Sequence, residues 1–296
     1  MAKEIDQFKR EIQALKKHLE LLEERFLKDT ITRTLSHRGL TIFRKNPTRD
    51  LILPPTLTLD EVDQFYSKMR RYSFRLFLRD VIARQESFRA EDLTRYCSAQ
   101  TARRYIKFLL SLNIIESLSK NSYRLRNRPL YSFGGTLEWF IAQVFVREFH
   151  CPAIYGVKFR RTTHGGDYDV IALLDGRLVY TEVKSSPPKG IEVEEVKAFL
   201  GRAEDLSPQL AIFLVDTELR MKDKIVPLFE ETLKRSDMVN RLVQELFHIN
   251  HTIFIVNSKK DIIANIRQVL RDYHTSQRLL AKDLNLASSN KVNSKF

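Results

Sequence analysis

The sequence predicts an α/β fold: a mixed sheet flanked by helices, preceded by an N-terminal coiled-coil helix and a small basic module of helices and a hairpin. Three observations carry this. An Asp175-Gly176 pair sits between two alternating apolar runs, the strongest short-range hairpin signal. Around it, segments of helical and strand period alternate as a layered α/β unit requires. Far upstream, Ile5, Phe8, Ile12, Leu15, Leu19, Leu22 and Phe26 follow spacings of three and four without a break.

That stripe occupies a and d positions over three heptads, with Lys, Glu and Arg filling the others. It predicts a helix over 1–35, either a two-stranded coiled coil that makes a homodimer or an amphipathic helix packed on its own chain. Residues 36–69 follow as linker, with 40–58 (Pro47, Pro54, Pro55) read as linker or extended packing. Between Arg70 and Arg128 the chain carries fourteen Lys/Arg against five Asp/Glu. Within it, helices are predicted at about 73–85, 90–96 and 99–112, the third capped by Ser98. A hairpin follows, 114–118 and 122–125, turning at Lys120-Asn121.

The remaining elements are a helix over 134–149, a strand over 153–160, hairpin strands over 168–174 and 178–184, a helix over 191–205 and a buried strand at 209–215. A helical stretch near 218–247, a strand near 251–257 and a helix near 260–285 extend the unit, and the polar end from Ala287 reads as a frayed tail. With Asp175-Gly176 as the loop, Leu174 pairs with Arg177, and counting outward sets Asp169 opposite Glu182 and Asp167 opposite Lys184. Ile171, Leu173, Leu178 and Tyr180 share the face of these charges; Val170, Ala172, Leu174, Val179 and Val183 take the other. A strand pair apolar on both faces is a covered one. Facing carboxylates repel there and are costly to desolvate, so they call for a cation, and oxygen donors suit Mg²⁺.

Gly166-Asp167-Tyr168-Asp169, the hairpin and Glu182-Val183-Lys184 resemble the PD-(D/E)xK nuclease superfamily, which has a restriction-endonuclease-like fold. The pattern is similar to that of its archaeal Holliday-junction-resolvase and Mrr-like branches. Tyr168 stands where the family name has proline. The resemblance implies Asp169, Glu182 and Lys184 as catalytic residues, with Glu138 as the helix glutamate. Asp169, Glu182, the Val183 carbonyl and Glu138 would hold Mg²⁺, with Mn²⁺ able to substitute. It makes 131–286 the nuclease domain, and the polar composition of 287–296 marks that stretch as a flexible tail.

The module at 70–130 resembles a winged helix-turn-helix. In that arrangement Arg103, Arg104 and Lys107 on the third helix and Lys120, Arg124 and Arg126 on the wing would contact DNA. Solubilising charge on a helical connector, or a protein-contact module, is the plainer reading of the same residues. A net charge of +13 favours a polyanionic partner. Cys97 and Cys151 make neither a disulfide framework nor a zinc cluster, and His248 with His251 lacks further ligands in sequence. His164, beside Gly165-Gly166, is either a phosphate contact or loop polarity; Glu194, Glu195 and Lys197 read as surface charges. No apolar run approaches a membrane span and no signal-peptide core is present, so the expected location is cytoplasmic or nuclear, with cytoplasmic preferred. The expected activity is metal-dependent endonucleolytic hydrolysis of DNA. A non-catalytic DNA-binding regulator or scaffold with a nuclease-like fold is the alternative, and RNA is a third possibility.

Overall fold

The hairpin that organises the sequence also organises the sheet. In the structure, a computed structural model, residues 2–233 and 237–293 are described. Within the first and last helices this extends to the side chains of 7, 8, 10–19 and 30–37, and of 262–279, 281 and 282. Helix α1 runs Ala2–His37, followed by strand β1 Ile42–Arg44 and helices α2 Leu59–Met69, α3 Tyr72–Ala83 and α4 Ala99–Ser111. The hairpin β2 Ile115–Ser119 and β3 Ser122–Leu125 precedes α5 Gly134–Phe149. Then come β4 Ala153–Phe159, β5 Tyr168–Leu174, β6 Arg177–Lys184, α6 Val193–Leu206 and β7 Leu210–Val215. Helix α7 Ile225–Thr232, strands β8 Asn240–Val243, β9 Leu246–Ile249 and β10 Ile253–Asn257, and helix α8 Ile262–Asn293 complete the described chain.

Eight strands form one mixed sheet in the order β1-β4-β5-β6-β7-β10-β9-β8. The pairs β6/β7 and β7/β10 are parallel and the others antiparallel. Leu174 pairs with Arg177 and Val170 with Thr181, the register the Asp175-Gly176 turn predicts. Asp175 and Gly176 both take positive φ, as a two-residue turn of this kind demands. Each face of the sheet is covered. Val170, Ala172, Leu174, Val179 and Val183 pack with α5 and α8, while Ile171, Leu173, Leu178 and Tyr180 pack with α6, α7 and the end of α1. Burying a large apolar side chain contributes about 1.5–3 kcal/mol, so slipping this register by one residue would exchange both faces at once.

Several expectations are corrected. The region 36–69 is built into the fold: β1 pairs with β4 at the sheet edge, Leu51, Ile52 and Leu53 are buried, and α2 starts at a Thr58/Glu61 capping box. The segment 218–247 is a short helix followed by the β8/β9 hairpin, because Gln244 turns the chain at positive φ. The helix expected at 90–96 is one 3₁₀ turn, Glu91–Leu93. Helix α8 is described through Asn293, so part of the tail expected from Ala287 lies in it, and 294–296 lie outside the described residues. On α1, Phe8, Ile12, Leu15 and Leu19 are all exposed on the single chain, against the alternative of packing in cis, whereas Ile31 and Leu35 are buried under the sheet. The side chains of Ile5, Leu22 and Phe26 lie outside the described residues.

One buried ion pair ties the helices to the sheet. Arg75 of α3 is 1% exposed and sends Nε and Nη2 to Asp216, the residue after β7, at 2.8–3.1 Å. Arg79 and the Ser258 hydroxyl also reach that carboxylate. Burial pushes the Asp216 carboxyl up, but the two guanidiniums outweigh it and hold the group below the usual carboxylate range. The Asp216 N–H in turn donates to the Lys184 carbonyl at 2.8 Å, so this contact also fixes the end of β6.

Arg75→Met therefore leaves a buried carboxylate without its main partner and is expected to cost roughly 3–5 kcal/mol in urea unfolding at pH 7. The wild-type contribution is present above the unfolded carboxyl's pKa near 3.9 and is lost as pH falls through the lower folded value. An unfolding midpoint unchanged by Arg75→Met would contradict this.

Candidate active site

Beyond the Val170/Thr181 pair, the β5/β6 ladder gives way to side chains. Asp169 Oδ2 accepts from the Val183 N–H at 2.7 Å, so the carboxylate takes up a backbone donor at the open end of the hairpin. Opposite it, Glu182 is 2% exposed and held from three directions. Its Oε1 receives Arg202 Nη2 at 2.7 Å and lies 3.0 Å from Lys184 Nζ; its Oε2 receives the Tyr180 hydroxyl. Arg202 Nε donates to the same hydroxyl at 2.9 Å. Lys184 Nζ also contacts Glu195 Oε1, on the first turn of α6, at 2.9 Å.

Glu138 approaches from the first turns of α5. Facing it, Gly156 of β4 has φ +55°, and a Cβ there would lie 2.7 Å from the Pro47 ring and 3.6 Å from Glu138 Oε2. Only glycine leaves that space and adopts that backbone without strain. Glu138 opens into a cleft of about 520 Å³ whose lining includes Arg44, Arg49, Asp50 and Asp167.

Electrostatics couple the acids. Burial, then Glu182, Asp167 and Asp50, push the Glu138 carboxyl up to about 7. Burial, then Glu182 and Glu138, raise Asp169 well above the usual range, with the Val183 N–H and Lys184 opposing. For Lys184, burial lowers the pKa but Glu182 and Glu195 outweigh it, so the ammonium is retained more firmly than usual. The charge of Glu182 thus hinders the ionisation of both Asp169 and Glu138. Hard oxygen donors under mutual repulsion fit a divalent cation such as Mg²⁺. Against that, both Glu182 oxygens already have partners, and among the described residues no group of three or more His, Cys, Asp or Glu stands ready in ligating geometry.

Other expected residues fall elsewhere. Asp167, which counting sets opposite Lys184, pairs with Arg44 Nη2 at 3.0 Å and Lys158 Nζ at 2.8 Å. Glu195 is no free surface charge, because it holds Lys184, whereas Glu194 and Lys197 make only an exposed pair. His164 is turned away from a phosphate-binding role. Its ring lies against Gly201, and its N–H and Nδ1 meet Asp205 of α6, which also takes the Thr163 N–H and the Tyr168 hydroxyl. Arg103, Arg104 and Lys107 are exposed on α4, as is Lys120 at the hairpin tip. Arg124 and Arg126 fold onto Glu116 at 2.6 and 3.8 Å instead of projecting freely. Arg202 and Tyr180, both missed from sequence, are the nearest partners of Glu182. The Tyr180 alternation marked its face, but nothing in the helical period of 193–206 singled out Arg202.

No protein-family model matches the chain, and no curated protein matches it. Among solved structures it is similar to protein VC1899 from Vibrio cholerae, at 14% identity over 82% of this chain and 62% of that one, TM-score 0.48. It is also similar to Can2 from Sulfobacillus thermosulfidooxidans in complex with cyclic tetra-adenylate, at 14% identity over 82% of this chain and 60% of that one, TM-score 0.47. The chain spans about three fifths of the length of either. Among the described residues no helix is long and apolar enough to cross a membrane.

A carboxyl raised from 4.5 to about 7 binds its proton more tightly in the folded state, so its stabilising contribution is full below pH 4.5 and lost as pH rises through 7. In chelator, Glu138→Gln is expected to flatten that slope and to be more stable than wild type at pH 8 by about 3 kcal/mol. Urea unfolding of both proteins from pH 5 to 8 measures this; parallel curves would contradict it.

Proposed function

We propose that the protein is a metal-dependent nuclease of restriction-endonuclease-like architecture that hydrolyses DNA phosphodiester bonds. The observation that carries this is the convergence of Asp169, Glu182, Lys184 and Glu138 at the open end of a hairpin covered on both faces. Asp169, Glu182, the Val183 carbonyl and Glu138 would hold Mg²⁺ or Mn²⁺. When bound, such an ion supplies Lewis-acid polarisation of the scissile phosphate and a lowered pKa for a water. Lys184, kept protonated by Glu182 and Glu195, offsets the charge that grows on the phosphoryl oxygens as water adds and the sugar oxygen leaves. Glu138, which lines the cleft, would bind the ion or position the attacking water. Arg202 and Tyr180 orient the Glu182 carboxylate.

The module around α3 and α4 would bring the duplex to this site through Arg103, Arg104 and Lys107, and the exposed stripe of α1 would make the protein a homodimer. A two-fold enzyme can address both strands of a duplex. A non-catalytic DNA-binding scaffold is favoured by one observation, the prior engagement of both Glu182 oxygens.

Incubation of plasmid, linear duplex, branched and single-stranded DNA with Mg²⁺ or Mn²⁺ tests the reading. Wild type is expected to cut, with chelator abolishing the reaction. Lys184→Ala should lower the rate on the order of 10²–10³-fold and Asp169→Asn at least as much. Tight DNA binding without cutting under every condition would favour the scaffold.

A further inference from the structure

The most exposed large apolar or aromatic side chain among the described residues is Tyr131, 91% accessible. It does not sit on a loose loop. On one side Leu130 is buried, and its N–H and carbonyl are both bound by the Gln85 side-chain amide at 2.8 and 3.3 Å. On the other, Phe133 is buried at the start of α5. The backbone is therefore fixed on both sides of a ring presented to solvent. Tyr131 also lies on a ridge between two depressions. One is the cleft that holds Glu138, with Arg44 and Arg49 in its wall. The other, about 450 Å³, is lined by Arg79 and by Ser185, the residue after Lys184. Arg79 Nε is buried there without a hydrogen-bond partner.

We propose that Tyr131 is a stacking platform for an unpaired base, so that the strand entering the active site crosses this ridge with one nucleotide out of the double helix. The proposal rests on the nuclease reading and specifies its substrate class as nucleic acid with a single-stranded or extrahelical nucleotide at the site. Chemistry supports it at three points. An aromatic ring on a rigid backbone loses little freedom when a base stacks on it, and such stacking tolerates any base. Arg44 and Arg79 already hold Asp167 and Asp216, but Arg49, 78% exposed in the cleft wall, suits a phosphate that flanks the stacked nucleotide. A paired base inside a duplex has both π-faces covered by its neighbours, so a side chain reaches one only when the nucleotide is unpaired.

The test reads binding, not cutting, with full-length protein carrying Asp169→Asn so that substrate stays intact. The probes are a single-stranded DNA, a blunt duplex, and the same duplex with one unpaired 2-aminopurine, each followed by anisotropy; Tyr131 is kept, changed to Phe or changed to Ala. Tyr131→Ala is expected to weaken the single-stranded and bulged probes about 5- to 100-fold and leave the blunt duplex unchanged, with Tyr131→Phe close to the parent. 2-Aminopurine emission should be quenched on binding by the Tyr and Phe proteins and not by the Ala protein. Unchanged affinity for all probes in Tyr131→Ala, an equal loss on the blunt duplex, or quenching that survives the Ala substitution would overturn the proposal. These readouts do not depend on catalysis. Wild-type protein that cuts nothing would defeat the nuclease reading alone, and one that cuts with affinity indifferent to Tyr131 would defeat this inference alone.

Discussion

Past the last paired residues, Val170 and Thr181, Asp169 and Glu182 come within electrostatic reach at the open end of a hairpin both of whose faces are covered, with Glu138 of α5 beside them. In bulk water three such carboxylates would ionise almost independently. Here desolvation and mutual repulsion raise Asp169 and Glu138 together, and the surrounding architecture responds to that charge. Helix α6 supplies Arg202 to Glu182 and Glu195 to Lys184, so one helix both neutralises an acid and anchors the base beside it. The same helix carries Asp205, which fastens the loop before β5 through two backbone N–H groups and the Tyr168 hydroxyl. On the opposite face, Gly156 gives up a side chain so that the Pro47 ring can pack against β4 beside Glu138.

The helices at 59–111 contribute through a separate contact. Arg75 crosses from α3 to Asp216, whose backbone holds the Lys184 carbonyl. Phe65, Phe74, Phe77 and Tyr105 meet Trp139 and Phe140 of α5 in one continuous apolar cluster. The basic module and the sheet thus share a core, and the Arg75–Asp216 contact ties α3 to the end of the strand that carries Glu182 and Lys184.

How much of this was legible in the sequence depended on whether local signals were strong enough to survive tertiary packing. The Asp175-Gly176 turn fixes a register, and register fixes every face of β5 and β6, so Asp169, Glu182 and the two apolar sets could be located by counting. Glycine or asparagine announces a turn, but β8 and β9 turn at Gln244, forced into positive φ with no such residue, and a helical period looked adequate there. Thr58 and Glu61 spell a capping box in the sequence, yet the prolines before them argued for a linker; burial of Leu51, Ile52 and Leu53 overrode that composition. Partners across long separations were not legible. Arg202 lies twenty residues from Glu182 and Arg44 more than a hundred from Asp167, and no local pattern encodes which of fifty cationic side chains a buried acid will meet.

The repulsion among these carboxylates is the central claim, and proton release on metal binding tests it most directly. Titrating the protein with Mn²⁺ at pH 6.5 in buffers of different ionisation enthalpy counts the protons expelled per ion, because a cation must displace those held by raised carboxyls. Net release at pH 6.5 that declines towards pH 8.5, and that shrinks in Glu138→Gln, is the predicted result. Binding with no proton release at pH 6.5, or no binding of Mn²⁺ at all, would contradict the account.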